Sequence, residues 1–132
     1  MHVRVELDKA PSVGETAQVS FEVKSDVDLK SVRIEADVPG IARWGGVPDG
    51  FSVSRLTSPV PTDFGAVGRA VRTMDLAAGQ VARFRGSVTA ASAGTLLVTA
   101  RAAAPVDPQV NSDTFTAAAA IGADKQSSHL GS

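Results

Sequence analysis

Two separate parts of the chain carry apolar residues at every second position, and each part consists of two such runs joined by a turn. In the first part these residues are Ala17, Val19, Phe21 and Val23, then Val32, Ile34, Ala36 and Val38. In the second part they are Ala82, Phe84, Val88 and Ala90, then Leu96, Val98, Ala100 and Ala102. A period of two places such side chains on one face of a β-strand. The chain is therefore predicted to form antiparallel sheets with one buried face each.

The spacing of strands and turns predicts the fold class. Glycine, proline and aspartate divide the chain into strands that we place at residues 2–7, 16–25, 30–38, 68–76, 80–91, 95–103 and 113–122. This pattern is typical of an all-β, immunoglobulin-like Greek-key β-sandwich of seven to eight antiparallel strands. In such a fold the strand at 16–25 pairs with 80–91, and the strand at 30–38 pairs with 95–103. Phe115 of the last strand is predicted to join the core.

Size and charge limit the classes of protein that the chain could represent. Its 132 residues suit one domain, which we place at 1–123, followed by a tail, linker or vector remnant at 124–132. A formal net charge of -1 provides no bulk attraction to nucleic acid, and no apolar run is long enough for membrane insertion. The chain has no cysteine, which excludes disulfides and thiol chemistry.

Residues 41–66 interrupt the regular alternation with several glycines and prolines. We predict an irregular insertion that contains one short edge strand near Phe51 and Val53. The strand that follows, at 68–76, carries Arg72 on the same face as Ala70 and Leu76. An inward charge of this kind favours either a place at the margin of a sheet or a bulge.

Residues with the chemistry of catalysis are scarce. The two histidines are His2, at the start of the chain, and His129, in the predicted tail. A histidine base with a nucleophile and an acid partner therefore has no plausible location. Gly45 and Gly46 lack the lysine and the following helix of a phosphate-binding loop. We expect no enzymatic activity and no cofactor.

The strongest candidate for a binding site is the group of Arg43, Trp44, Phe51 and Phe64 in the irregular segment. An exposed indole there could stack on a sugar or anchor a protein partner. Alternatively, Trp44 closes the end of the core, because tryptophan is largely buried on average. Aromatic residues make up 5% of the chain and tyrosine is absent, which disfavours a broad carbohydrate platform.

Asp26 and Asp28 are weak candidates for binding calcium, together with Asp75 or Asp107, because calcium prefers oxygen ligands. The alternative is an ordinary solvated turn. The spacing of these carboxylates does not match a dedicated calcium loop. Apart from this weak possibility we predict no metal site.

Three stretches carry a resemblance to a known family, namely APSVGETAQVSFEV at 10–23, DLAAGQ at 75–80 and AGTLLVTA at 93–100. They resemble bacterial immunoglobulin-like extracellular repeats, the group of conserved-repeat and cell-adhesion-related β-sandwiches. The resemblance covers nearly the whole chain except 41–66. It departs from the usual Asn and Gly between the second and third strands, where this chain has Asp26, Val27 and Asp28. The resemblance implies an extracellular or cell-envelope location and leaves the function open.

Two features of the terminal strands bear on interactions. Some bacterial surface sandwiches of the kind resembled here form an isopeptide bond between lysine and asparagine, and Lys9 and Asn111 lie beside the first and last predicted strands. Neither residue is at a predicted inward position and no buried acid is identifiable, so we do not expect this bond. An apolar patch is also predicted on the outer face of the last strands, where it would contact a neighbouring domain. Its residues are Leu97, Ala103, Ala118 and Ala120.

Two classes of function follow. The first is a noncatalytic interaction, adhesion or spacer module of a larger bacterial extracellular or envelope protein. Such a module would meet a protein partner or neighbouring domains through its loops or through the outer face of strands 30–38, 95–103 and 113–122. The alternative is an accessory ligand- or carbohydrate-binding domain of a secreted hydrolase, which would use the Trp44 loop.

Overall fold

Nine β-strands form two antiparallel sheets in the computed structural model, which describes residues 1–57, 66–106 and 111–122. The strands are β1 (His2–Leu7), β2 (Thr16–Lys24), β3 (Leu29–Val38), β4 (Ala42–Gly46), β5 (Ser52–Thr57), β6 (Ala66–Leu76), β7 (Val81–Ala90), β8 (Gly94–Ala103) and β9 (Ser112–Ile121). The first sheet has the order β1-β2-β7-β4 and the second β5-β6-β3-β8-β9. The predicted all-β sandwich is confirmed. No helix capable of crossing a membrane occurs in the described part of the chain.

The two copies of the alternating pattern occupy equivalent places in the sandwich. β2 pairs with β7 along its whole length, with Phe21 opposite Phe84. β3 pairs with β8, with Ala36 opposite Ala100. Both predicted pairings are therefore confirmed. The turn from β2 to β3 and the turn from β7 to β8 each carry the chain from the first sheet to the second.

The irregular segment supplies two strands, which raises the number of strands to nine, above the predicted seven to eight. β4 joins the edge of the first sheet beside β7, and β5 joins the edge of the second sheet beside β6. Residues 47–51 therefore cross between the sheets. Of the two explanations offered for the inward Arg72, a place of this strand at the margin of a sheet is wrong, because β5 covers the outer side of β6.

Alternate residues of the central strands form the core. Among those that are at most 1% exposed are Val19, Phe21, Val32, Ile34, Val88, Leu96 and Val98. Phe115 lies opposite the buried Ala100 and thus on the inner face of β9, but it is 39% exposed. The prediction that Phe115 joins the core is therefore wrong. β9 is an edge strand with only β8 beside it, so its inward side chains are covered incompletely. The tail predicted at 124–132 lies outside the described residues.

A bulge interrupts β3 near its beginning. The register to β6 shifts between Leu29 and Val32, and Ser31 in this interval has a φ of 56°. This left-handed conformation is costly for a residue with a side chain. The N–H of Ser31 donates to Oδ1 of Asp75 at 2.9 Å, so a carboxylate from β6 holds the bulge in place.

Ion pairs join β3 and β6 on the outer face of the second sheet. The guanidinium of Arg69 donates to both carboxylate oxygens of Asp37, at 2.8 and 2.9 Å. Its Nε also lies 3.0 Å from Oε2 of Glu35, an oxygen that accepts no hydrogen bond in the described residues, so this contact is purely electrostatic. The hydrogen bond to Asp37 raises the pKa of Arg69 above its ordinary value, against the lowering effect of burial. Arg69 therefore stays protonated.

Candidate functional site

Trp44 lies between the two sheets. It belongs to β4 at the edge of the first sheet, and its indole Nε1–H donates to the carbonyl oxygen of Gly68 in β6 at 3.1 Å. The side chain is half-buried and packs against the core. This geometry agrees with the interpretation in which the indole closes the core. It leaves only part of the ring accessible to a ligand.

Two glycines make room for the indole. A Cβ on Gly68 would lie 3.2 Å from Cδ1 of Trp44, and a Cβ on Gly86 would lie 3.0 Å from its Cζ3. Gly86 sits opposite Val19 on the inward side of β7. The indole therefore fills the place of an inward side chain that β7 lacks. This explains why the alternation of the second copy skips position 86.

Phe51 is also part of the core, since it is only 7% exposed. Its ring packs edge-on against Phe21 and Phe84, at centroid distances of 5.6 and 5.0 Å. A turn places the ring there, because the N–H of Phe51 donates to the carbonyl of Pro48 at 3.1 Å and Gly50 adopts a φ of 81°. The packing leaves neither face of the ring free for stacking on a sugar.

Arg72 covers this aromatic cluster from β6. Its guanidinium carbon lies 5.8 Å from the ring centre of Phe84, and Nη1 donates to the carbonyl of Asp49 at 3.2 Å. A Cβ on Gly50 would come within 3.0 Å of the same guanidinium. The inward arginine thus makes a cation–π contact and attaches the 47–51 crossing to β6. This contact, rather than a position at the edge of the sheet, explains why the side chain of Arg72 points inward.

The other members of the predicted aromatic site do not join this cluster. Arg43 is exposed on β4 opposite Thr89 of β7. Because successive side chains of a strand point to opposite faces, Arg43 and Trp44 do not form one surface. Phe64, like the calcium candidate Asp107, lies outside the described residues. A binding role for the set of four residues stays a prediction.

The calcium candidates have separate partners. Oδ2 of Asp26 lies 3.3 Å from Nε2 of His2, whereas Oδ1 of Asp28 accepts from the N–H of Ala78 at 2.7 Å. Asp28 thereby joins its turn to the turn between β6 and β7. Asp75 supports the bulge of β3 instead. Across residues 1–57, 66–106 and 111–122, no three acidic or histidine side chains form a group that could hold a metal.

Lys9 and Asn111 lie near opposite ends of β9. The N–H of Val3 donates to Oδ2 of Asp113 at 2.8 Å, which fixes the start of β1 beside the start of β9. Lys9 instead lines a groove of about 450 Å³ beside residues 117–119, and its Nζ pairs with Glu15 at 3.7 Å. This separation is not compatible with an isopeptide bond between Lys9 and Asn111, which the sequence also disfavours.

The apolar patch predicted on the outer face of the second sheet is smaller than expected. Leu97 is 46% exposed and lies directly opposite the exposed Ala118, with Ala120 next to them on β9. Ala103 lies at the other end of β8, opposite Ser112, and does not extend the patch. The outward registers of these four residues are confirmed, but only three of them lie together.

Cations dominate the outer face of the first sheet. The basic side chains that point outward are Arg4 of β1, Lys24 of β2, Arg43 of β4, and Arg83 and Arg85 of β7, against the carboxylates Glu6 and Glu22. We call this surface the basic face. Sequence reasoning missed it because the near-zero net charge hides a local excess. The excess of basic residues can nevertheless be found in the sequence, at the outward positions of the alternating strands.

The family of the chain is shown by its sequence. Residues 2–131 match the family described as "Mycolysin N-terminal domain". The chain belongs to this family. The match includes both sheets and the crossing segment between them. As an N-terminal domain of a secreted protease family, the chain is a β module of a larger protein. The narrower resemblance to immunoglobulin-like adhesion repeats is not confirmed.

Solved structures share the fold at low sequence identity. One is described as "AvmM Catalyzes Macrocyclization in Alchivemycin A Biosynthesis". It has a TM-score of 0.54 at 12% identity, with 92% of this chain and 89% of that chain covered. Another is a cohesin module from a family 33 glycoside hydrolase of Clostridium perfringens. It has a TM-score of 0.50 at 12% identity, with coverage of 93% and 97%. A comparison with curated protein sequences gives no match.

Proposed function

We propose that the chain is a noncatalytic docking module, which packs against another domain of the secreted protease to which it belongs. The observation that carries this proposal is the match of residues 2–131 to an N-terminal domain of such proteases. A module of this kind contributes binding energy and position, while another domain performs the chemistry. We place its action outside the cell or in the cell envelope, and its partner is a protein domain.

The packing of the aromatic rings supports docking over ligand binding. Phe51 is buried, and Trp44 is fixed to Gly68 between the sheets, so neither ring forms a platform on the surface. The outer faces of both sheets, in contrast, are broad surfaces of polar, charged and small side chains. Broad polar surfaces of this kind suit contact with another folded domain better than capture of a small molecule in an apolar pocket.

The structural neighbours agree with a modular role and do not decide it. The Clostridium perfringens neighbour is a module of a glycoside hydrolase, so a sandwich of this kind does serve as a part of a larger enzyme. The other neighbour is described as catalysing a macrocyclization. One fold therefore hosts different activities, and the proposal rests on the family rather than on the fold.

A binding experiment between separate polypeptides tests the docking function. The 132-residue chain and the catalytic domain of the same protease are produced separately and titrated by isothermal calorimetry. We expect saturable binding with one module per catalytic domain. The control is an unrelated β-sandwich of similar size and charge. Absence of heat and of a complex in size-exclusion chromatography would contradict the proposal.

Carbohydrate binding through the Trp44 loop is the alternative function, and the single tryptophan makes it directly testable. We expect no saturable change of tryptophan fluorescence when the chain is titrated with a panel of polysaccharides. A saturable shift in the wild-type chain, together with binding heat in isothermal calorimetry that Trp44→Ala loses and Arg83→Gln keeps, would favour the carbohydrate-binding alternative over docking. Circular dichroism of Trp44→Ala confirms that the variant is folded.

A further inference from the structure

We propose that the basic face is the surface through which the module docks, and that its partner is an acidic segment of a protein chain. This inference rests on the docking function proposed above and names the chemistry of the partner. It starts from the unequal division of charge on the outer face of the first sheet. Five cations lie there against two carboxylates, although the whole chain has 13 basic and 14 acidic residues.

The cross-strand registers show which cations are available to a partner. Arg4, Glu22 and Arg83 form one row across β1, β2 and β7, so a single carboxylate lies between two guanidinium groups. Glu22 accepts a hydrogen bond from Nε of Arg83 at 3.0 Å. Arg4, Arg43 and Arg85 make no ion pair with any carboxylate of the described residues. These cations therefore remain available for anions of another molecule.

The spacing of Arg83 and Arg85 suits an extended acidic peptide. They are two positions apart on β7 and point to the same side, so their Cα atoms are roughly 7 Å apart. Alternate residues of an extended partner segment repeat at the same distance, and two of its carboxylates could meet both guanidinium groups. A depression of about 380 Å³ lies between them, lined also by Ser20 and Glu22.

Apolar groups border the cations of the basic face. A second depression, of about 340 Å³, is lined by Arg4, Lys24, Val81 and Phe115. Val81 and Phe115 are each 39% exposed. Arginine and aromatic residues are enriched at the centres of protein interfaces, where they combine charge with a large contact area. The exposed Phe115 thus gives the surface an apolar anchor, which a purely electrostatic anion site does not need.

The arrangement of charge favours a protein partner over a continuous polyanion. Glu6 and Glu22 interrupt the cations on the basic face, and Asp113 lies at its border. A nucleic-acid backbone or an anionic membrane would meet these carboxylates at close range. The net charge of -1 also gives no long-range attraction to either of them. A partner with discrete carboxylates can avoid the three acidic positions.

Matched variants test the inference. The probe is a short fluorescein-labelled peptide in which glutamate alternates with threonine, and its binding is followed by fluorescence anisotropy. We expect saturable binding that weakens as salt rises from about 0.01 to about 0.15 M, over which the Debye length falls from about 30 to about 8 Å. Arg83→Gln with Arg85→Gln should weaken binding about tenfold. Arg33→Gln with Arg101→Gln removes the same charge from the opposite face and should leave the affinity within about twofold.

Three results would overturn the inference. These are no saturable binding of the alternating peptide, equal losses in both double variants, and binding to duplex DNA or to phosphatidylglycerol vesicles as tight as that to the peptide. Titration of the catalytic domain separates this inference from the proposed function. If Arg83→Gln with Arg85→Gln binds that domain as well as the wild-type chain does, only the basic face is refuted. If the wild-type chain does not bind it, the docking function itself fails.

Discussion

At Trp44 a single side-chain hydrogen bond joins the two sheets. The indole Nε1–H reaches across the sandwich to the carbonyl of Gly68, and the ring occupies the space above Gly86. Trp44→Phe would keep an aromatic ring in this place but would leave the carbonyl without its donor. We expect the free energy of unfolding to fall by about 1–3 kcal/mol. Urea denaturation followed by far-UV circular dichroism measures this loss.

The neighbouring position provides the control for that measurement. Arg43 lies on the same strand and points to solvent, so Arg43→Ala should change the free energy of unfolding by no more than about 0.5 kcal/mol. Trp44→Ala should cost more than Trp44→Phe, about 3–5 kcal/mol, because it also removes the ring from the core. If Trp44→Phe is as stable as the wild-type chain, the bond to Gly68 contributes nothing and the indole acts by packing alone.

At the scale of strands, two cross-strand ion pairs of different burial can be compared within one molecule. Asp37 and Arg69 connect β3 and β6 through two hydrogen bonds, and their side chains are 23% and 27% exposed. Glu22 and Arg83 connect β2 and β7 through one, and they are 44% and 75% exposed. We expect coupling energies of about 1–2 kcal/mol for the first pair and about 0.2–1 kcal/mol for the second.

Double-mutant cycles with alanine at each position measure both coupling energies, and added salt provides the internal control. Screening should reduce the coupling of the exposed pair more than that of the partly buried pair. Equal coupling energies, or equal sensitivity to salt, would show that burial and the paired hydrogen bonds do not distinguish the two sites. Glu35 remains close to Arg69 in the Asp37→Ala variant, so the measured coupling excludes that contact.

The same strands show how far the sequence predicts the fold. β2, β3, β7 and β8 are predictable because each carries its own alternation, which fixes the buried face without reference to other elements. β4 is not, because its place beside β7 depends on an indole that fills the gap over Gly86, and no local pattern records that contact. The short edge strand predicted near Phe51 and Val53 corresponds to β5, but its pairing with β6 is not predictable, because no local pattern records which strand lies beside it.

The residues of the candidate site also differ in how far the sequence predicts their position. The sequence alone identifies Trp44 and Phe51 as unusual, but whether they face a ligand or the core depends on which strands lie opposite them. The basic face illustrates the reverse case. Arg83 and Arg85 occupy outward positions of a strand whose direction was predicted correctly. The predicted pairing of β7 with β2 already places Lys24 on the same surface, but only the observed pairing of β2 with β1 adds Arg4.

Across the whole molecule, stability should be highest in the centre of each sheet and lowest at β9. β2 and β7 are the inner strands of the first sheet, and β3 has a neighbour on both sides in the second. β9 has one neighbour, and Ile121 is its only fully buried residue. Local opening of β9 therefore exposes little apolar surface, whereas opening of β3 requires that the core be disrupted.

Hydrogen–deuterium exchange with mass spectrometry tests this gradient. Amides of β2, β3 and β7 should exchange only through global unfolding, so their rates should follow the stability measured in urea. Amides of β9 should exchange faster than those of the central strands. Ile121→Ala should accelerate exchange in β9 further, whereas exchange in β3 should change only as much as the free energy of global unfolding predicts. Should β9 exchange as slowly as β3 in the wild-type chain, the edge strand would be part of the same cooperative unit as the core. The complex with the catalytic domain offers a further comparison, because docking on the basic face should slow exchange in β1, β2 and β7, and also in β9 around its apolar anchor Phe115.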